Sequence, residues 1–158
     1  MAESSLKILT LCMGNICRSP VAEVLLRREL KAAGFEALVA SAGTGAWHVG
    51  KPADPRSRVV ARQNGLDLNH RARQLTVQDF LDFDLILCMD HQNLEDARRA
   101  APPQARARLH LMREYDPEGP GDVPDPYYGG PDGFTRMFRI LERSARAWAA
   151  TVREGRTG

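Results

Sequence analysis

The segment from Cys12 to Ser19, CMGNICRS, limits the possible folds of this chain more than any other feature. An apolar run precedes it at Leu6–Leu11, which predicts a buried strand. Apolar side chains at helical spacing follow in residues 20–33, and Ser19-Pro20 predicts the helix start, with Ser19 as N-cap and Pro20 at the first helical position. A loop between such a strand and helix can wrap backbone N–H groups around a tetrahedral oxyanion.

The rest of the chain continues the alternation of strands and helices. Leu85–Met89 is a nearly uninterrupted apolar run, which is typical of a strand covered on both faces. This alternation predicts a parallel sheet with helices on both faces. The further predicted strands are Leu38–Ala42, Leu85–Met89 and Leu109–Met112, and the further predicted helices are Pro55–Asn64, Thr76–Leu81, one that resumes near Gln92, and Phe134–Val152.

Length and composition favour one globular domain over residues 1–158. Hydrophobic residues make up 43% of the chain and charged residues 27%, which is ordinary for a soluble protein with a buried core. A net charge of +2 does not indicate nucleic-acid binding, and no apolar run is long enough to span a membrane. Met1–Ser5 lacks the apolar stretch of a secretory signal. Three cysteines, an odd number, argue against a disulfide framework, so the expected location is cytoplasmic.

Cys12 and Arg18 stand at the two ends of the loop, where both can act on one bound anion. A free cysteine has a pKa of roughly 8.5, and loop N–H groups, a helix N-terminus and an arginine all favour its thiolate. The planar guanidinium of Arg18 matches two oxygens of a phosphate. Gly14 permits close backbone approach, Asn15 tolerates left-handed backbone geometry, and Ser19 can donate a hydrogen bond to the thiolate. The loop therefore predicts a sulfur nucleophile beneath a phosphate dianion.

A thiolate that attacks phosphorus forms a phosphocysteine, and the leaving oxygen then needs a proton. The Pro/Gly-rich segment 116–133 offers Asp125, whose neighbour Pro126 stiffens the chain beside it. We predict that Asp125 is the general acid and later the base that activates water. The alternative is that Asp125 only forms a turn.

Three positions, Cys12, Gly43 and Asp90, each lie just past the carboxyl end of a predicted strand. In open parallel sheets, ligands bind outside the carboxyl ends of the strands. We therefore expect these residues to meet at one crevice. Its predicted walls are three aromatic side chains on two bordering loops, Trp47, Tyr127 and Tyr128.

Two interpretations of Cys17 stay open. It packs against the core, or it traps oxidised Cys12 as a disulfide across the loop. Cys88, inside an apolar strand, is predicted to be a core residue. His70 is predicted to be a structural histidine rather than a catalyst.

These residues resemble, in order and over nearly the whole chain, those of the low molecular weight protein tyrosine phosphatases. Cys12–Ser19 fits the family's C-x5-R-S loop, and the segment Asp125-Pro126-Tyr127-Tyr128-Gly129 resembles its general-acid loop. The first loop alone is shared more widely, but both loops at this spacing are specific. The other matching segments are Ser41-Ala42-Gly43, Trp47-His48-Val49-Gly50, Asp54-Pro55-Arg56, His70–Leu75 and Cys88-Met89-Asp90.

The resemblance implies a fold and a set of roles. The fold is phosphotyrosine phosphatase I-like, a four-stranded parallel sheet with helices on both faces in a Rossmann-like three-layer sandwich. Cys12 would be the nucleophile, Arg18 would bind the phosphate and the transition state, and Asp125 would be the acid and base, with no metal and no other cofactor. Further phosphate-binding or wall residues would be Met13, Gly14, Asn15, Ile16, Cys17, Ser19, Trp47, Tyr127 and Tyr128, and supporting residues would be Ser41, His70 and Asp90.

The implied activity is hydrolysis of phosphotyrosine, in a protein or in a small aryl phosphate; no oligomeric state is predicted. An arsenate reductase of the same fold would need a further cysteine pair, and Cys88 is the only cysteine outside the loop. Protein arginine phosphatases carry threonine where Ile16 stands, and an apolar Ile16 fits phosphotyrosine better. A non-catalytic module that binds phosphorylated ligands would not need nucleophile, arginine and acid together.

Overall fold

The computed structural model of the chain describes residues 6–155, so the expectation for Met1–Ser5 lies outside it. Every predicted strand and helix is confirmed in this range, with shifted boundaries. None of the helices described is both long and apolar enough to cross a membrane. The strands are β1 (Leu6–Cys12), β2 (Ala37–Gly43), β3 (Leu85–Cys88) and β4 (Arg108–Leu111), and the helices are α1 (Arg18–Ala32), α2 (Pro55–Gln63), α3 (Val77–Asp82), α4 (His91–Ala100) and α5 (Pro131–Arg153).

The four strands form one parallel sheet in the order β2-β1-β3-β4. This confirms the four-stranded parallel sheet that the resemblance implies. In the register of β1, Cys12 lies opposite Gly43 and Leu11 lies opposite Cys88. The carboxyl ends of the three strands β2, β1 and β3 therefore meet at the same edge of the sheet.

Helices cover both faces of the sheet, as predicted. Successive side chains of a strand point to opposite faces. Ile8 accordingly belongs to the larger core, formed with α1, α2 and α5, whereas Leu9 and Leu11 belong to the smaller core beneath α3 and α4. In the larger core Trp148 is fully buried, and its Nε1 donates a hydrogen bond to the carbonyl oxygen of Met112 at 2.9 Å.

The start of α1 differs from the prediction. The helix begins at Arg18 with Cys17 as its N-cap residue, and no side chain caps it. The prediction of Ser19 as N-cap is wrong because its hydroxyl oxygen lies 3.0 Å from the sulfur of Cys12 instead. Pro20 takes the third helical position, where its missing N–H still has no intrahelical partner to lose. The last helix, α5, begins at Pro131, three residues before the predicted start.

A buried carboxylate anchors the segment that leads from β4 towards the carboxyl edge of the sheet. Asp116 is 4% exposed and accepts hydrogen bonds from the side chains of Arg113 and Arg143 and from the backbone N–H of Glu118, at 2.7–3.0 Å. Burial acts to raise the pKa of Asp116, but Arg143, the Glu118 N–H and Arg113 outweigh it and lower this pKa to about 2. The segment is thereby fixed to α5.

Candidate active site

A cavity of about 340 Å³ opens at the carboxyl edge of the sheet. It brings together all three predicted catalytic residues and all three predicted aromatic wall residues. Asn15 and Ser19 lie beneath it rather than in its lining. The lining residues are Cys12, Met13, Gly14, Ile16, Cys17, Arg18, Trp47, His48, Asp125, Tyr127 and Tyr128.

The anion loop, residues 12–18, turns five of its carbonyl groups outwards. The C=O and the following N–H of a trans peptide point in opposite directions, so N–H groups of this loop point inwards. They surround the space above Cys12, where a phosphate would sit. The outward bonds join Cys12 O to Thr44 N at 2.9 Å, Met13 O to Gly45 N at 3.0 Å, Asn15 O to His70 Nε2 at 2.6 Å, Ile16 O to Asp54 N at 2.9 Å, and Cys17 O to Ser57 Oγ at 3.2 Å.

The sulfur of Cys12 lies at the bottom of this loop, and the residue is 2% exposed. It accepts a hydrogen bond from the backbone N–H of Asn15 at 3.3 Å and lies 3.0 Å from the hydroxyl of Ser19. Because Ser19 Oγ itself accepts from Asn15 Nδ2 at 2.8 Å, its own proton can point to the sulfur. These donors are placed to stabilise negative charge that develops on the sulfur.

Asn15 holds the loop in its unusual shape. Its backbone φ is 57°, in the left-handed region that asparagine tolerates better than most residues. The buried side chain donates to Ser19 and to Ser41 Oγ (3.0 Å), and its Oδ1 accepts from the backbone N–H of Arg73 (2.9 Å). His70 holds the Asn15 carbonyl, which can only accept, so Nε2 of His70 carries the proton. Ser41 and His70 thus lie where supporting residues were predicted.

Arg18 is 3% exposed and held on one side by the protein. Its NH1 donates to Asp90 Oδ2 at 2.7 Å and to the carbonyl of Val123 at 3.0 Å. Burial acts against its charge, but Cys12, Asp90 and Asp125 outweigh burial, and the pKa of Arg18 is raised above its ordinary value. Asp90 also accepts from the backbone N–H of Asn93 at 2.8 Å, which caps α4. The guanidinium is therefore a fixed cation at the pocket.

Asp125 lies beside Arg18, on the acid loop, residues 123–130. Its Oδ2 is 3.8 Å from Arg18 NH2, and its Oδ1 accepts from the backbone N–H of Tyr127 at 3.1 Å. The side chain is 36% exposed, so it can exchange protons with water. The rings of Tyr127 and Tyr128 stand edge to face, with centroids 4.9 Å apart. Tyr128 and Trp47 are 93% and 69% exposed, so both form an open rim rather than a closed wall.

The three cysteines are free thiols in different surroundings. Burial, followed by the nearby charge of Asp54, raises the pKa of Cys17, which therefore stays protonated at neutral pH. Burial also raises the pKa of Cys88 to about 12, and this residue belongs to the smaller core, as predicted. Neither cysteine is poised as a nucleophile.

Sequence reasoning missed His48 at the pocket and the pair Asp54 and Arg56 behind it. His48 lies beside Gly14, where an added Cβ would approach its ring to 3.0 Å, and its ring centroid is 6.3 Å from that of Tyr127. The signals for these three residues were the matched segments Trp47-His48-Val49-Gly50 and Asp54-Pro55-Arg56, in which no role was assigned to them.

The parallel sheet and the anion loop at its carboxyl edge define a class of protein, the α/β proteins with a C-x5-R oxyanion loop. A model of the family described as low molecular weight phosphotyrosine protein phosphatase matches residues 7–157. The chain belongs to this family.

Individual relatives resemble the chain over most of its length. A low molecular weight protein-tyrosine-phosphatase of Streptomyces coelicolor is 44% identical over 94% of both chains. A low molecular weight phosphotyrosine protein phosphatase of Schizosaccharomyces pombe is 47% identical over 82% of this chain and 86% of its own. The crystal structure of a protein tyrosine phosphatase from Entamoeba histolytica superposes with a TM-score of 0.91 at 34% identity, over 96% of this chain and 99% of that chain.

Proposed function

We propose that this protein hydrolyses phosphotyrosine and related aryl phosphate monoesters through a phosphocysteine intermediate. One observation carries the proposal: the Cys12 sulfur accepts the N–H of Asn15 and lines the same cavity as Arg18, whose guanidinium is 3.8 Å from Asp125. Nucleophile, charge stabiliser and proton donor therefore surround one phosphate-sized space.

In the first step the loop N–H groups and Arg18 bind the phosphate dianion. The thiolate of Cys12 attacks phosphorus, and the bond between phosphorus and the phenolic oxygen breaks. Asp125, protonated at this stage, gives its proton to the leaving oxygen. The donors that hold the ground-state anion also stabilise the charge of the transition state.

In the second step Asp125 acts as a base. Its carboxylate takes a proton from a water molecule as the water oxygen attacks phosphorus and the sulfur–phosphorus bond breaks. The hydroxyl of Ser19 stabilises the departing thiolate of Cys12. Inorganic phosphate leaves, and Asp125 is again protonated for the next substrate.

The surroundings of the pocket favour an aryl substrate. Ile16, Trp47 and Tyr127 are apolar or aromatic side chains of the lining, and they suit a planar ring. In a phosphoarginine substrate, the polar guanidine group would contact the apolar side chain of Ile16. We therefore rank protein arginine phosphatase activity second to phosphotyrosine hydrolysis.

The basic test is hydrolysis of para-nitrophenyl phosphate with a chelator present. We expect Cys12→Ser to abolish turnover; turnover close to the parent's would reject the mechanism. Asp125→Ala should lower kcat/KM by roughly 10²–10⁴ for substrates with poor leaving groups. A panel of phosphotyrosine, phosphoserine and phosphoarginine peptides tests the substrate class, and faster release from phosphoarginine would contradict it.

We also propose that residues 1–158 act as one domain in the cytoplasm. Both cores share the single sheet, which supports one folding unit. A nucleophilic thiol at Cys12 requires reducing surroundings, which supports the location.

A further inference from the structure

We propose that Arg56 is a positioning residue that holds the acid loop against the anion loop. The inference rests on the proposed function, because it concerns proton delivery by Asp125. Arg56 is the second residue of α2, and it lies between two parts of the site that are far apart in sequence.

One side of the Arg56 guanidinium binds the acid loop. Its NH1 donates to the carbonyl oxygen of Tyr127 at 3.0 Å. Its central carbon lies 5.3 Å from the centroid of the Tyr127 ring and 4.5 Å from that of Phe134 in α5. One hydrogen bond and one cation–π contact therefore hold Tyr127, and a second cation–π contact holds the guanidinium against Phe134.

The other side binds Asp54. The Nε and NH2 groups of Arg56 donate to the two carboxylate oxygens of Asp54 at 3.0 and 2.9 Å, the two-pronged geometry that arginine offers. Burial acts to raise the pKa of Asp54, but Arg56 outweighs burial and lowers this pKa below its ordinary value. The carboxylate is therefore charged at neutral pH and keeps the fork of Arg56 in one orientation.

Asp54 is in turn fixed to the anion loop. Its backbone N–H donates to the Ile16 carbonyl at 2.9 Å, and the hydroxyl of Ser57, one turn into α2, donates to the Cys17 carbonyl at 3.2 Å. The side chains of Arg56 and Asp54 therefore connect the anion loop to the acid loop, and the bond from Arg56 to Tyr127 joins residues 71 positions apart.

Asp125 lies between two points at which the acid loop is held. On one side, Val123 donates from its N–H to Met89 O at 2.7 Å and accepts from Arg18. On the other side is Tyr127, whose N–H binds Asp125 Oδ1. Arg56 holds the carbonyl of this same residue. Loss of Arg56 would release Tyr127 and move the carboxyl that must reach the leaving oxygen.

The test compares two substrates that depend differently on the acid. Phenyl phosphate releases a basic phenol and needs the proton, whereas para-nitrophenyl phosphate releases a stabilised phenolate and needs it less. We expect Arg56→Met to lower kcat/KM for phenyl phosphate by roughly 10- to 100-fold and that for para-nitrophenyl phosphate by less than about threefold. Arg56→Lys, which keeps the charge but not the fork, should recover part of the loss.

Three controls separate positioning from folding. Arg62→Met removes an exposed arginine near the end of the same helix and should behave like the parent. Inhibition by inorganic phosphate should be unchanged in Arg56→Met, because the anion loop keeps its own hydrogen bonds. In an Asp125→Asn background, Arg56→Met should have no further effect that depends on the leaving group.

If Arg56→Met lowered kcat/KM equally for both substrates, or for neither, the proposed role of Arg56 would be overturned. A further leaving-group effect in the Asp125→Asn background would overturn it as well. A parent protein that turns over neither substrate would instead defeat the proposed function itself.

Discussion

Replacing Asp116 with asparagine should lower the free energy of unfolding by about 2 kcal/mol at pH 7, and by progressively less as the pH falls. Asp116 is the buried carboxylate that ties the segment after β4 to α5 through Arg113 and Arg143. Asparagine has nearly the same shape but carries no charge and has an NH2 donor in place of one acceptor oxygen, so the substitution tests the charged hydrogen bonds rather than the packing.

The magnitude follows from the pKa of this carboxyl, which is about 2 in the folded protein against an ordinary 3.8. A shift of nearly two pKa units corresponds to roughly 2–3 kcal/mol. Because the folded-state pKa is the lower one, the unfolded chain binds more protons between these values. The stabilisation by Asp116 is therefore complete above about pH 5, about half as large at pH 3, and lost as the pH falls through 2.

Urea unfolding followed by circular dichroism at pH 7, 4 and 3 measures the effect. Asp67→Asn, which changes an exposed carboxylate, is the matched control and should leave the unfolding free energy within about 0.5 kcal/mol of the parent. A parent–variant difference that stays constant from pH 7 to pH 3 would show that the Asp116 charge is not the source of the stability.

Two further substitutions test the packing around the site and the core. In Gly43→Ala, the added Cβ would meet the carbonyl oxygen of Met13 at 2.8 Å and Asn15 Cβ at 3.1 Å, so the anion loop must shift. We expect the free energy of unfolding to fall by roughly 1–3 kcal/mol and inhibition by inorganic phosphate to weaken. Unchanged inhibition would show that the anion loop can shift without loss of phosphate binding. Trp148→Phe removes the hydrogen bond to the carbonyl oxygen of Met112 and should lower the free energy of urea unfolding by about 1–3 kcal/mol. Inhibition by inorganic phosphate should stay the same. A variant as stable as the parent would show that this carbonyl finds another hydrogen-bond partner.

The strands were predictable because their signal is local. Leu85–Met89 is apolar at nearly every position, and a strand covered on both faces by helices requires this. The start of α1 was not predictable from the same kind of reasoning. Ser19 suits an N-cap by residue type, but its hydroxyl is used by Cys12 and Asn15, a contact that depends on how the loop folds back.

The same difference between local and long-range contacts decides which residues of the site could be predicted. Cys12 and Arg18 are six residues apart in one motif, so their meeting could be predicted from the sequence. The bond between Arg56 and Tyr127 joins residues 71 positions apart, and the matched segment Asp54-Pro55-Arg56 gave no indication of this contact. The contact arises only when α2 and the acid loop pack side by side.

The active site lies at the carboxyl end of β1, so the amino end of this strand lies at the opposite edge of the sheet. The strand has seven residues, so six steps of about 3.3 Å place Leu6 roughly 20 Å from Cys12. A fluorescent tag or a surface linker attached at Leu6 itself would therefore lie well away from the mouth of the cavity. Immobilised in that orientation, the protein would present its pocket to the surrounding solution.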